Sequence, residues 1–306
     1  MTLDLAAESL APARSGWARF FRNRAAAAGL AFIALAVLLA LAGPGLYSRL
    51  LPAAEQKYRD GVYQDYAAIN AGPSARHWLG ADDLGRDQLA RLLLALRASL
   101  AVALVVEVIN VGLGGTLGLI AGYFGGAADF LIARLADILF AFPGLLLAIL
   151  VSAVFGPAAR ELAGGLGRLM LVAAALSLVS WPLMARLVRG QVLALRQREF
   201  VLAAQSLGAS SAGILVRHLL PNAAWLIIVA ATLDVAGVIV NEATLSLLGL
   251  GIEEPGASLG LMIFKAVGKL ERYPLQILLP AGTITLLVLA FSFLGDGLRD
   301  ALDPGR

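Results

Sequence analysis

Residues 198–221 read REFVLAAQSLGASSAGILVRHLLP, the longest stretch of this chain that cannot lie inside a bilayer yet sits between strongly apolar runs. Phe200, Ala203 or Ala204, and Leu207 recur at i, i+3/i+4 and i+7, so a short helix here carries one small, apolar face. Arg198, Glu199, Gln205 and Ser206 lie elsewhere on it. Gly208 breaks that helix, and Ser210 or Ser211 is placed to cap a second one by accepting from its free N–H groups. Pro221 is expected to end the second helix, because the residue before a proline is pushed out of the helical region. The expectation is two short helices at an angle, joined at a glycine and presented for docking.

Outward from this loop the chain is apolar. Of its 306 residues 59% are hydrophobic and 15% charged, and the mean hydropathy of +0.82 is far outside the soluble range. It reads as an all-α polytopic membrane protein. The absence of cysteine removes disulfides and thiolate metal sites. The first apolar run, Ala25 to Leu46, has spanning length and starts too late for a cleavable signal. In the polar leader, residues 1–24, Arg14, Arg19, Arg22 and Arg24 outnumber Asp4 and Glu8, which places the N-terminus in the cytoplasm. Arg186, Arg189, Arg196, Arg198 and Arg217 against Glu199 place the 198–221 loop on the same side. A basic cluster beside a span is an orientation signal, so no nucleic-acid partner is indicated.

Residues 47–97 form a long extracytoplasmic loop of nearly balanced charge, in which Leu89, Leu92, Leu93 and Leu96 mark an amphipathic interfacial helix. His77, Asp82, Asp83 and Asp87 have the donor types of a metal site, but carboxylates near arginines are more often paired or solvated, and no metal is assigned. A five-helix core, residues 98–306, follows. Its spans are expected at 98–122, 131–155 with a kink at Pro143, 169–185, 223–248 and 275–294, giving six in all with both ends cytoplasmic. Gly114, Gly118 and Gly122 make a small stripe for close helix packing; the embedded GxGGxxG has no preceding strand and is not a nucleotide fingerprint.

No GxxxxGK[ST] is present, since Gly268-Lys269 lacks the upstream glycine and the following hydroxyl. With two histidines and no cysteine there is no credible hydrolase site, and the chain is not read as an enzyme. Glu107, Asp234, Asn241 and Glu242 are polar groups within spans, and two readings stand: they line a translocation path, or they join helices through buried hydrogen bonds.

The loop resembles the EAA loop of ABC-importer permeases: Ala203, Ala204, Gly208, Leu220 and Pro221 fall at its spacing, with Leu202 where the general pattern has Glu and His218 where it has Ile. Arg217 to Asn222, RHLLPN, is similar to the dipeptide/oligopeptide branch. So is His77 to Arg91, which resembles HxxGTDxxGRDxxSR with Ala81 and Ala90 in place of Thr and Ser. Residues 241–260 resemble ESALSFLGLGVQPPTPSWG, with Leu247 for Phe and Leu259 for Trp, and the C-terminal LGDGLRDALDPGR is close to the branch's LGDGLRDALDPR.

The resemblance implies a C-type permease subunit of a peptide importer. It implies a B-type permease partner, two ATPase subunits and an extracytoplasmic substrate-binding protein. ATP would be bound by the partners, so the chain needs no cofactor of its own. Coupling would fall to Arg198, Glu199, Leu202, Ala203, Ala204, Gly208, His218, Leu220 and Pro221. The same architecture importing nickel or another small solute, and an ion-coupled secondary transporter using Asp234 and Glu242, are the alternatives.

Overall fold

A computed structural model describes residues 16–302. The first part of the leader, with Asp4, Glu8 and Arg14, and the last four residues lie outside the described residues.

A short helix α1 (Gly16–Arg22) leads into α2 (Arg24–Arg49), whose first turn is capped by Asn23 Oδ1 accepting from the N–H groups of Ala25 and Ala26. Small residues let α2 pack closely: a Cβ at Gly29 would lie 2.6 Å from the Ala290 carbonyl, and one at Gly43 would meet Leu93. The second span is α3 (Gln88–Ile109), a π turn at Asn110–Gly114, and α4 (Gly115–Phe124). The chain reverses at Gly125 and Gly126, both at positive φ, into α5 (Gly126–Phe140).

Five helical stretches are long and apolar enough to cross a membrane. One of them, α6 (Gly144–Leu195), has 52 residues and would measure about 78 Å if straight, more than twice the hydrocarbon thickness. It doubles back at Ala163 and Gly164, whose backbone is not helical. The limbs run antiparallel: a Cβ at Gly144 would touch Val179 at 3.5 Å, and Arg168 Nη1 donates to the Ser152 carbonyl at 3.2 Å. The third span is thus α5 plus the first limb of α6, broken at Ala141–Pro143, and the fourth is the second limb. Six crossings result, as the hydropathy pattern predicts. The expected outer loop 156–168 is instead mostly helix, with the turn reduced to two residues.

Gly114, Gly118 and Gly122 lie along the second limb of α6, where Cβ atoms would come within 2.6–2.7 Å of the Trp181 carbonyl, the Ala185 carbonyl and Val192. The remaining helices are α7 (Glu199–Ser206), α8 (Ser211–Ile214), α9 (Leu220–Leu247), α10 (Leu259–Ala266) and α11 (Leu275–Leu302). Leu233 of α9 meets Gly295 of α11, and Ala26 meets Gly297, so residues 16–24, the 198–221 loop and the end of α11 share one end of the molecule.

The far end is a polar cap built from residues 50–87, with 3₁₀ helices at Ala53–Arg59 and Tyr66–Ala68, and from the loop on either side of α10. Buried Asp87 accepts from Tyr47 Oη at 3.1 Å, lies 2.9 Å from His77 Nδ1, and caps α3 through the Ala90 N–H. Arg86 bridges Asp82 at 2.7 Å and Glu254 at 2.8 Å, while Lys269 holds Asp83 at 2.6 Å. Each acid near His77 therefore has an ionic or hydrogen-bonding partner. Burial raises the Glu254 carboxyl, but the Arg86 hydrogen bond and the charges of Arg86, Lys265 and Arg91 outweigh it and hold the group below the usual carboxylate value. The interfacial helix expected at Leu89–Leu96 is not separate: it forms the first turns of α3, with Leu93 packed against Gly43 and Tyr47 of α2 and Leu96 buried in the main core.

Candidate functional site

The helices of the 198–221 segment form because their caps and turns are written locally. Arg198 is the extended residue before α7, and Gly208, at φ +79°, makes the bend that a Cβ would strain. Ser210 Oγ accepts from Gly213 N–H at 3.2 Å and so starts α8. Pro221 does not end this helix. A π turn, Leu215–Leu219, carries α8 into α9, and Pro221 stands in the first turn of α9, where an N–H is not required. The wider turn accommodates the proline ring, and Asn222 Nδ2 donates to the His218 carbonyl at 2.6 Å.

The buried side of α7 is Val201, with Ala204 partly covered. Val201 is 0% exposed and packs in one cluster with Val188 and Val192 of α6, Ile214, Leu219, and Ala223 and Ile227 of α9. Each such valine contributes about 1.5–3 kcal/mol by burial, so the loop is anchored to the fourth and fifth spans. The opposite side faces outward: Phe200, Leu202, Ala203 and Gly208 are exposed, and Leu207 is 88% exposed. Arg198, Glu199, Leu220 and Pro221 are exposed as well, while His218 is half-buried beside the Phe200 ring, at 6.5 Å between centroids.

Next to this face is a cleft of about 580 Å³ lined by Tyr123, Phe124, Arg196, Gln197, Leu202 and Gln205. Arg196 reaches across to the Gly122 and Tyr123 carbonyls at the end of α4. Sequence reasoning did not find Tyr123, Phe124 or Gln197 here, because the contact joins segments more than seventy residues apart. The doubled glycine after Phe124 was the available signal, marking a turn at the same end of the molecule.

The intramembrane polar residues divide. Asn110 Nδ2 donates to Asp234 Oδ2 at 3.0 Å, and Glu107 neighbours both, so three polar groups meet between α3 and α9. Glu107 also borders a mostly apolar groove of about 390 Å³ between α2, α3, α9 and α11. Asn241 is half-buried. Glu242 is 0% exposed, accepts from Ser99 Oγ and Ser246 Oγ at 2.8 Å each, and stands away from any open surface. Its geometry is that of a hydrogen-bonded pin between α3 and α9.

The profile of the family described as "Binding-protein-dependent transport system inner membrane component" matches residues 114–306, and that of the "N-terminal TM domain of oligopeptide transport permease C" matches residues 11–73. A glutathione transport system permease protein, GsiD, from Pectobacterium atrosepticum is 42% identical over 96% of this chain and 91% of its own length. An oligopeptide transport system permease protein, OppC, from Bacillus subtilis is 39% identical over 97% of this chain and 91% of its own. A dipeptide transport system permease protein, DppC, from Alkalihalophilus pseudofirmus is 38% identical over the same shares. Among solved structures, an inward-facing MetNI methionine ABC transporter shares the fold at 19% identity, with a TM-score of 0.52 over 69% of this chain and 96% of that one. The chain belongs to the family of inner-membrane permease components of binding-protein-dependent transport systems.

Proposed function

We propose that this permease subunit forms part of the translocation path of an ATP-driven importer of di- and oligopeptides in a bacterial cytoplasmic membrane. Both termini and the 198–221 loop lie in the cytoplasm, and the polar cap faces outward. The partners are a B-type permease, two ATPase subunits and an extracytoplasmic substrate-binding protein. ATP is held and hydrolysed by the ATPases, and this chain contributes no catalytic group. Peptides are preferred to nickel as the cargo because the relatives carry peptide or glutathione in their names.

The observation that carries this reading is the two-sidedness of α7. Val201 roots it in the cluster shared by α6 and α9, while Phe200, Ala203 and Leu207 face away from the subunit. A groove on an ATPase that takes the outer face therefore pulls on the fourth and fifth spans together, and closure of two ATPases rocks those spans between two states. Asp234, Asn110 and Glu107 supply the polar point between the spans that move and α3. Asn241, two helical turns further along α9, extends the candidate path. Glu242 serves as the pin that keeps α3 and α9 in register.

Uptake by proteoliposomes containing the purified assembly and its binding protein tests the reading, with labelled dipeptide, oligopeptide and nickel compared under ATP. ATP-dependent peptide uptake is expected. Nickel uptake alone keeps the coupling and replaces the cargo; uptake without ATPase subunits, abolished by an uncoupler, overturns the ATP-driven mechanism.

A further inference from the structure

A second cleft, of about 700 Å³, opens at the capped end between the α6 hairpin and the loop that follows α9. Its volume is within the range of small-molecule sites. Arg160 and Glu161 stand on one wall, Arg168 and Ser152 on the floor, and Glu253 on the other wall.

The charges in it are held unequally. The Arg168 side chain is 5% exposed and donates to the Gly251 carbonyl at 2.9 Å and the Ser152 carbonyl at 3.2 Å, so it fastens the hairpin to the loop. It also lies 3.5 Å from Glu253. Arg160, by contrast, is 68% exposed and, among the described residues, is held only by a 3.1 Å ion pair to the other Glu253 oxygen. A pair so open to water is worth about 1 kcal/mol or less, so a ligand anion exchanges for Glu253 on Arg160 at little cost, and Glu253 keeps Arg168. Glu161, beside Arg160 on the rim, has no ion pair among the described residues and is exposed. Ser152 is 0% exposed and lies beneath this rim, its carbonyl held by Arg168.

The geometry points to a receiving site for a short zwitterion carrying one free carboxylate and one free ammonium. Arg160 takes the carboxylate and Glu161 takes the ammonium. This rests on the peptide-import reading and adds to it an entry site, on the permease itself, that reads the two ends of the cargo. Arg168 is a positioning residue that holds the floor.

The test uses the complete reconstituted transporter and tritiated alanylalanine, its C-terminal amide and its N-acetyl form, each supplied with the same saturating binding protein. Because that protein is common to all variants, its own selectivity cancels when variants are compared. For Arg160→Ala, the preference for the free carboxylate over the amide is expected to fall about tenfold, as for loss of a charged hydrogen bond. Arg160→Lys retains most of it. Glu161→Gln lowers the preference for the free amine over the acetylated form and leaves the amide ratio unchanged. Should Arg160→Ala fail to assemble, Arg160→Gln carries the same readout. Unchanged ratios in the Arg160 and Glu161 variants, with peptide uptake intact, overturn this site alone. Absence of ATP-dependent peptide uptake in the unaltered transporter overturns the parent reading and this site with it.

Discussion

Glu242 shows how much one intramembrane residue depends on its neighbours for a role. Its carboxylate accepts from Ser99 and Ser246, and Ser258 Oγ donates on to Ser246 Oγ at 3.0 Å, so four side chains from α3, α9 and the start of α10 form one buried chain. Glu242→Ala strands hydroxyls in a dry interior and is expected to cost about 1–3 kcal/mol, read as a lower melting midpoint of the detergent-solubilised complex. Glu242→Gln keeps one acceptor and should lose less. A variant that melts normally but transports poorly would return Glu242 to the path. Glu254 allows a prediction about pH. Its folded value lies below the unfolded one, so its ion pairs stabilise the cap above the ordinary carboxylate range and are lost as the pH falls through the lower, folded value. Thermal stability of the complex should therefore fall below a pH of about 4 in the parent and show a shallower fall in Glu254→Gln.

At the scale of the element, α7 and the glycine stripe are the parts whose failure should be separable. Gly208→Asp places a charged side chain at a positive-φ bend that has no neighbouring atoms within 4 Å, so the rest of the subunit is not disturbed sterically. Membrane insertion and pairing with the second permease should survive, while ATPase co-purification and substrate-stimulated hydrolysis are lost. Leu207→Ala, at an exposed apolar knob, should weaken ATPase retention by about tenfold or less without affecting yield. Gly118 behaves oppositely. A Cβ there would lie 2.6 Å from the Ala185 carbonyl, so Gly118→Ala forces α4 from α6 and should cost about 1–3 kcal/mol in folding with loss of all downstream functions. Equal expression and melting of that variant would show that the two helices do not pack as described.

Over the whole molecule, the two ends have different chemistry: the anchored 198–221 loop with an exposed apolar face at one, a salt-bridged cap with an open cleft at the other. The absence of native cysteine makes the orientation directly measurable. Leu207→Cys should react with a membrane-impermeant maleimide only in inside-out vesicles, and Glu161→Cys only in right-side-out ones. The reverse pattern would invert the proposed orientation and place the zwitterion site on the wrong side of the membrane.

Much of this was legible in the sequence because its signals are short-range. Gly208 and Ser210 specify a bend and a cap within a few residues, and hydropathy marks each span from its own composition. Local rules misjudged Pro221, since a proline ends or begins a helix according to whether the preceding carbonyls have somewhere to go, and a π turn provides that. They also detached the leucines of 89–96 from the span that contains them, since burial of Leu93 against α2 and of Leu96 in the main core cannot be read from amphipathicity. The sequence by itself determined a polytopic helical permease and the position of the polar 198–221 loop between two spans, because those follow from hydropathy, charge and local motif spacing. Only the tertiary structure decided which side of α7 is rooted and which is free, that Glu242 is enclosed, and that Arg160, Ser152 and Glu253 share a cleft. These depend on contacts between residues far apart in the chain, where packing rather than local preference selects the partner.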